Sequence, residues 1–211
     1  MPTSAPSVHP AHRSASAAAL LRQSRAGLVL LLTATVVLGL IYPLAVFGVG
    51  RLVPHRAAGQ LLRADGRVVG SALIGQPFDG EQWFQPRPSA AGDGYDPLAS
   101  GASNLGPSSA DLLAATGQRR AEVAARDGIA PADVAPDALT ASGSGLDPDV
   151  SPEPARQQVQ RVARERGLDE AAVVALVEEH VRDRALGFLG EPRVNVLELN
   201  LALGRLTGGA G

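Results

Sequence analysis

The sequence lacks two residue types that carry much of protein chemistry. It has no cysteine, which excludes disulfides and thiolate metal sites. It has no lysine either: all 19 basic residues are arginine. Without lysine there can be no P-loop, no Schiff base and no Ser-x-x-Lys catalytic pair. Aromatic residues make up only 3 %, with Trp83 the sole tryptophan and Tyr42 and Tyr95 the two tyrosines. Acid is missing from the whole N-terminal part. Six arginines (13, 22, 25, 51, 56 and 63) precede Asp65 with no Asp or Glu among them. From Asp65 onward 13 arginines face 21 acids, a net charge of −8. Affinity for nucleic acid rests on positive charge, so a net-acidic domain excludes that class of partner.

The chain's 211 residues suffice for one domain plus extras, at roughly 100–200 residues per domain. Residues 1–25 are rich in Ser, Ala and Pro without a periodic apolar face, and read as a disordered tail. On such a tail His9 and His12 are incidental rather than metal ligands. Ala26 to Gly50 then runs 25 residues without a charge. As a helix it would extend about 37 Å, enough for a hydrocarbon core of about 30 Å. A signal peptide would have an apolar region of only about 7–15 residues and a small-residue cleavage site. The expectation is one retained transmembrane helix, kinked at Pro43. Thr33, Ala34, Thr35 and Gly39 provide small side chains for close helix contact. Thr35, Gly39 and Tyr42 are three or four residues apart, as positions on one helix face are. The flanking arginines are too balanced to orient the span.

Residues 51–211 are expected to form one α+β domain. The apolar stretch 66–75 predicts a strand. Residues 78–109 are dense in Gly, Pro and Ser, and an irregular run of that length is functional or disordered. Trp83, Phe84 and Tyr95 argue against disorder. Helices are expected over 110–127, over 151–166 behind a Ser-Pro-Glu start, and from 170 onward behind Asp169. The segment 193–203 is a strand, or a strand turning into a helix.

None of the motifs amounts to a catalytic set. Gly143-Ser144-Gly145 lacks the third glycine of a dinucleotide loop, and a proline follows at 148. Gly101-Ala102-Ser103-Asn104-Leu105 has Leu where a nucleophile elbow needs Gly. The domain's histidines are His55 and His180, and the latter sits among charged neighbours. Asp147 and Asp149 suit turn and capping roles. "TASGSGLDPDVSP", 140–152, could cradle an anion at a helix entrance. Spacing favours a loop that leads into the helix at 152.

Seven stretches, in order, resemble one family, the C subunit of the Kdp-type potassium-transporting P-type ATPase. They are "YPL" in the span, "GSALIGQ" with Phe78, "WFQPRPSA" at 83–90, "YDPLASGASNL" at 95–105, "TASGSGLDP" at 140–148, "RVARERGL" at 161–168 and "VNVLELNLAL" at 194–203. Ala102 departs from the family's usual Gly, and residues 1–23 extend beyond its usual start. The resemblance implies a single-pass subunit of the cell membrane, with a cytoplasmic N-terminus and an extracytoplasmic domain. It implies three partners: a channel-like potassium-binding subunit, a phosphorylating ATPase subunit and a small single-helix subunit. The complex uses potassium, magnesium and ATP; this chain is expected to bind none of them and to catalyse nothing by itself. Its role would be to aid assembly and ATP use. Without lysine it cannot carry the Asp-Lys-Thr-Gly phosphorylation motif. Candidate partner contacts are Thr35, Gly39, Tyr42 and Pro43 in the span, Trp83, Phe84, Arg87, Ser89, Ser103 and Asn104 in the first loop, and Thr140, Ser142, Ser144 and Asp147 in the second. The alternative is a membrane-anchored extracytoplasmic binding protein or hydrolase that acts alone.

Overall fold

The uncharged run lies within a longer helix. In the computed structural model, which describes residues 17–208, α1 spans Ala17–Val36, a π turn covers Val37–Ile41, and α2 spans Tyr42–Leu52. Ala17 to Leu52 is the one helix among the described residues that is long and apolar enough to cross a membrane, judged by length and composition. Residues 17–25, expected to belong to a disordered tail, are helical. His9 and His12 lie outside the described residues.

Pro43 accounts for the π turn. It has no N–H to give Gly39, four residues back, and its ring crowds that carbonyl. The ladder widens instead, and the Tyr42 N–H bonds to the Val37 carbonyl five residues back. This wider turn interrupts the 3.6-residue period between Thr35 and Tyr42. The expected shared face of Thr35, Gly39 and Tyr42 is therefore not that of an uninterrupted α-helix. A short helix α3, Pro54–Ala57, follows, and the chain divides into two compact units after Ala57.

The second unit is a mixed helix and sheet domain. It opens on a hairpin of β1, Leu61–Ala64, and β2, Arg67–Ser71. Only β2 was legible as a strand, because β1 is interrupted by an arginine and has no β-branched residue. The irregular segment follows, then α4, Ala110–Asp127, capped by the Ser109 hydroxyl on the Leu112 N–H and closed by Gly128 at φ 69°. Two 3-10 turns, Pro131–Asp133 and Pro136–Ala138, make the broken connector.

After β3, Asp149–Val150, the expected helix over 151–166 is two helices, α5, Pro152–Gln157, and α6, Val159–Arg166. They part at Gln158, whose side chain bonds outward to Gln85 as well as to Pro154 O. Next come α7, Glu170–His180, and a short strand β4, Val181–Arg182. β5, Arg193–Asn195, turns directly into α8, Val196–Leu206, with the Asn195 side chain capping the Glu198 N–H. The strand-to-helix form of 193–203 is the one observed.

β5 lies at the centre of an antiparallel sheet in the order β3-β5-β4. The main core packs α5 to α8 against it through Val150, Val159, Val162, Val173, Val177, Val194, Leu199 and Leu203, joined by Phe84 from the irregular segment. Full burial of each such side chain stabilises by about 1.5–3 kcal/mol. A smaller cluster of Val123, Ala124, Val134 and Leu139 holds α4 to the connector.

Candidate partner interface

The two Gly- and Ser-rich loops dock on each other. The guanidinium of Arg87 donates to the Asp147 carboxylate at 3.2 Å and to the Thr140 carbonyl at 3.3 Å. The Ser89 hydroxyl donates to Gly145 O at 2.6 Å and accepts from the N–H groups of Ala91 and Tyr95. Ser100 Oγ and the Gly101 N–H both donate to Ser144 O, each at 2.9 Å. On the other side the Gly75 N–H donates to Leu146 O at 2.8 Å. Carbonyls withdrawn from water need partners, and three consecutive ones in the second loop, of Ser144, Gly145 and Leu146, together with that of Thr140, find them on the first loop and at Gly75.

Glycine is required where the loops meet. Gly145 has φ +67°, and a Cβ there would lie 2.6 Å from both Ala91 N and Gly101 O. A Cβ at Gly75 would lie 2.5 Å from Asp147 O. The Tyr95 hydroxyl, donating to Arg87 O, closes the assembly. Burial, and then the Asp147 charge, raises the pKa of that phenol well above its ordinary value. Burial also raises the Asp149 carboxyl, against the opposing hydrogen bond from Asn195.

Beneath the loops lies a buried charge cluster. The Arg161 side chain has no exposure and donates to Asp127 Oδ1 at 2.6 Å, to Gln158 Oε1 at 2.8 Å, and to the carbonyls of Trp83 and Glu81. Asp127, also buried, takes a second ion pair from Arg126 at 2.9 Å. A buried charge persists only when paired and hydrogen-bonded, and here one guanidinium ties α4, α6 and the start of the first loop together. A cleft of about 280 Å³ opens nearby, with Arg87, Tyr95, Arg119 and Arg126 on its wall. Among the described residues, no group of three or more His, Asp or Glu is placed to hold a metal ion.

The predicted contact residues fall into three sets. Phe84 is corrected: it is 1 % exposed in the core, with its backbone N–H and C=O both bonded to the Asn200 side chain. No part of its side chain is left for a partner. Trp83, Arg87, Ser89, Thr140 and Asp147 are partly buried and spend polar groups inside the domain. Trp83 lies under the Arg166 guanidinium at 3.9 Å and against Phe78. The Thr140 hydroxyl bonds Pro136 O, and Asp147 caps the Asp149 N–H. Ser103 and Asn104 are exposed, Asn104 at φ +53° with its amide on Ala102 O. Ser142 and Ser144 face each other at 3.4 Å, and Ser144 Oγ accepts the Leu146 N–H. In the span, Thr35 returns its hydroxyl to Leu31 O and Tyr42 is 63 % exposed. A Cβ on Gly39 would meet nothing within 4 Å.

Sequence reasoning missed Arg161, Asp127 and Gln158. Arginine in an amphipathic helix reads as solvated, and only the hydrogen-bonding groups of distant segments make its burial possible. Gly145 was in view as a loop glycine and Gly75 as the end of an expected strand, which stops at Ser71 instead; the close contacts of both are tertiary.

An apolar N-terminal helix long enough to cross a membrane, joined to a small mixed helix and sheet domain, is the arrangement of a single-anchor membrane protein. The family model described as "KdpC: K+-transporting ATPase, c chain" matches residues 24–205. A potassium-transporting ATPase KdpC subunit of Kineococcus radiotolerans is 76 % identical over 184 residues, 87 % of this chain and 94 % of that protein. The KdpC subunit of Mycobacterium tuberculosis is 52 % identical over 188 residues, 88 % of this chain and 99 % of that protein. That of Cereibacter sphaeroides is 54 % identical over 180 residues, 85 % of this chain and 95 % of that protein. The chain belongs to the KdpC family, and is a subunit of a potassium-transporting ATPase complex.

Proposed function

We propose that this chain is a non-catalytic subunit that aids assembly of the complex and ATP use by its phosphorylating subunit. Its partners are a channel-like potassium-binding subunit, the phosphorylating subunit and a small single-helix subunit. The domain after the span lies outside the cytoplasm. Potassium, magnesium and ATP are handled by the other subunits. The observation that carries this reading is the family match across residues 24–205. The two interlocked loops add to it. Their internal bonds fix a polar surface in advance, and preorganisation lowers the ordering cost of binding.

Within that surface the recognition role falls to the exposed positions Ser103, Asn104 and Ser144 and to half-buried Ser142, with Arg87 holding the second loop in place through Asp147 and Thr140. The test is a bulky substitution at an exposed point, Ser103→Trp, in the full chain. The expected result is an unchanged thermal midpoint for the isolated chain and less potassium-binding subunit recovered with it. Normal recovery from a normally folded variant refutes the loop surface as the contact.

A further inference from the structure

The cleft beside the buried charge cluster gathers positive charge in a part of the chain that carries −8 from Asp65 onward. The guanidiniums of Arg87, Arg119 and Arg126 line it, with the carboxylates of Glu122 and Asp127. Arg119 and Arg126 are seven residues apart on α4, about two turns at 3.6 residues per turn, and so share a face. Arg87 reaches the same place from the first loop. Arg119 Nη1 donates to Leu139 O at 3.0 Å, and Arg87 Nη2 donates to the next carbonyl, Thr140 O, at 3.3 Å. Two like charges held on neighbouring carbonyls repel unless an anion answers them.

The acids of the domain do not supply that answer. Asp127 is shared between Arg126 and Arg161, Asp147 pairs with Arg87 from outside the cleft, and Glu122 bonds to Gln118. Four guanidiniums thus face three carboxylates, which leaves one positive charge over. The Arg87 Nε is buried with no hydrogen-bond partner among the described residues. Arg126 spends Nε and Nη2 on Asp127, and Arg119 spends Nη1 on Leu139 O. The remaining donors of these two half-buried side chains are left for a ligand.

The rest of the wall sets the ligand's size and character. Phe78, Pro86 and Pro154 present apolar surface, and the proline rings are stiff. The volume of about 280 Å³ lies below the roughly 300–1,000 Å³ of sites for drug-sized molecules. The complementary occupant is small, partly apolar and singly negative. Guanidinium forks match carboxylate geometry. A phosphate dianion or a polyphosphate exceeds the surplus of one charge and would meet Asp127 and Glu122 as like charges.

We propose that this cleft binds a small organic monocarboxylate, with its carboxylate on Arg119 and Arg126 and its apolar part against Phe78 and the prolines. The site does not depend on the proposed partner contacts of the two loops.

The probe is benzoate, titrated calorimetrically into the full chain in detergent. Benzamide serves as its uncharged isostere and inorganic phosphate as the competing anion. Benzoate should saturate one site, and the other two should bind at least about tenfold more weakly, the factor carried by one hydrogen bond to a charged group. Arg119→Gln and Arg126→Gln should each weaken benzoate by about tenfold or more. Arg120→Gln, adjacent but off the cleft wall, should bind benzoate as the wild type does. Thermal midpoints without ligand show which variants fold, and the comparison of the three ligands on the wild type needs no variant. In the assembled membrane complex benzoate should bind equally well. Loss of binding there would assign the arginines to a carboxylate of another subunit and overturn the small-molecule site. So would the absence of saturable benzoate binding, phosphate or benzamide binding as tightly as benzoate, or unchanged affinity in a folded Arg119→Gln/Arg126→Gln variant.

Discussion

Gly145→Ala is the substitution whose effect follows most directly from the geometry of the loops. Alanine at φ +67° pays about 1–2 kcal/mol for the left-handed conformation alone. The new methyl would also stand 2.6 Å from Ala91 N and from Gly101 O. Both are backbone atoms, so no side chain can swing aside. Overpacking of this kind costs about 1–3 kcal/mol, which brings the total to about 2–5 kcal/mol. Domain stabilities are only about 5–15 kcal/mol. At roughly 2–4 °C per kcal/mol for a domain of this size, the thermal midpoint should fall by about 4–20 °C. The assay is thermal unfolding of the full chain in detergent, with amide exchange read over Ser144–Asp147. Gly143→Ala is the control, since a Cβ there meets nothing within 4 Å, and it should change stability by less than about 0.5 kcal/mol. A Gly145→Ala midpoint equal to that of Gly143→Ala, with exchange protection intact, would refute the docking of the loops.

Two further outcomes follow from the structure and a third from the proposed topology. Arg161→Met strands the buried Asp127 with a single partner, Arg126, and should destabilise by about 3–5 kcal/mol in urea unfolding; Arg161→Met/Asp127→Asn should recover part of that loss. The raised pKa of Tyr95 means that its folded form holds the proton more tightly than its unfolded form. That contribution is fully present below the ordinary value of 10.0 and is lost as pH rises through the folded value. Tyr95→Phe should therefore flatten the alkaline limb of a stability profile above about pH 10, and a limb unchanged by the substitution would show that Tyr95 is not the group responsible. Alkaline phosphatase fused to the C-terminus should be active in cells, and a well-expressed inactive fusion would reject the extracytoplasmic placement of the domain.

The legible parts of the sequence were those written in local signals. An uncharged run of 25 residues announces a span whatever surrounds it. Gly128 and Gly167 end helices because both adopt φ near +60 to +70°, a conformation glycine enters at no steric cost. The turn from Asn195 into α8 is a cap with its acceptor in place. What was hidden depends on chain that is distant in sequence. Arg161 is bound to Asp127, Gln158 and the carbonyls of Glu81 and Trp83, and no helical period foretells that. Phe84 was grouped with the interface candidates as part of the irregular first loop, yet it lies in the core, where Asn200 satisfies its backbone. The opening of the ladder ahead of Pro43 is a local event, but sequence alone did not separate a kink from a π turn. The loop 140–152 was legible as a connector to α5; its second role, as the buttress of the first loop, required the fold.

The central claim is that this chain enables its partners to assemble and to use ATP. It is tested most directly by potassium-stimulated ATP hydrolysis in the purified complex, prepared with and without this subunit. The account predicts a loosened assembly and near-background hydrolysis without it, both restored when the full chain is added back. A stable complex with full potassium-stimulated hydrolysis in its absence would contradict the account.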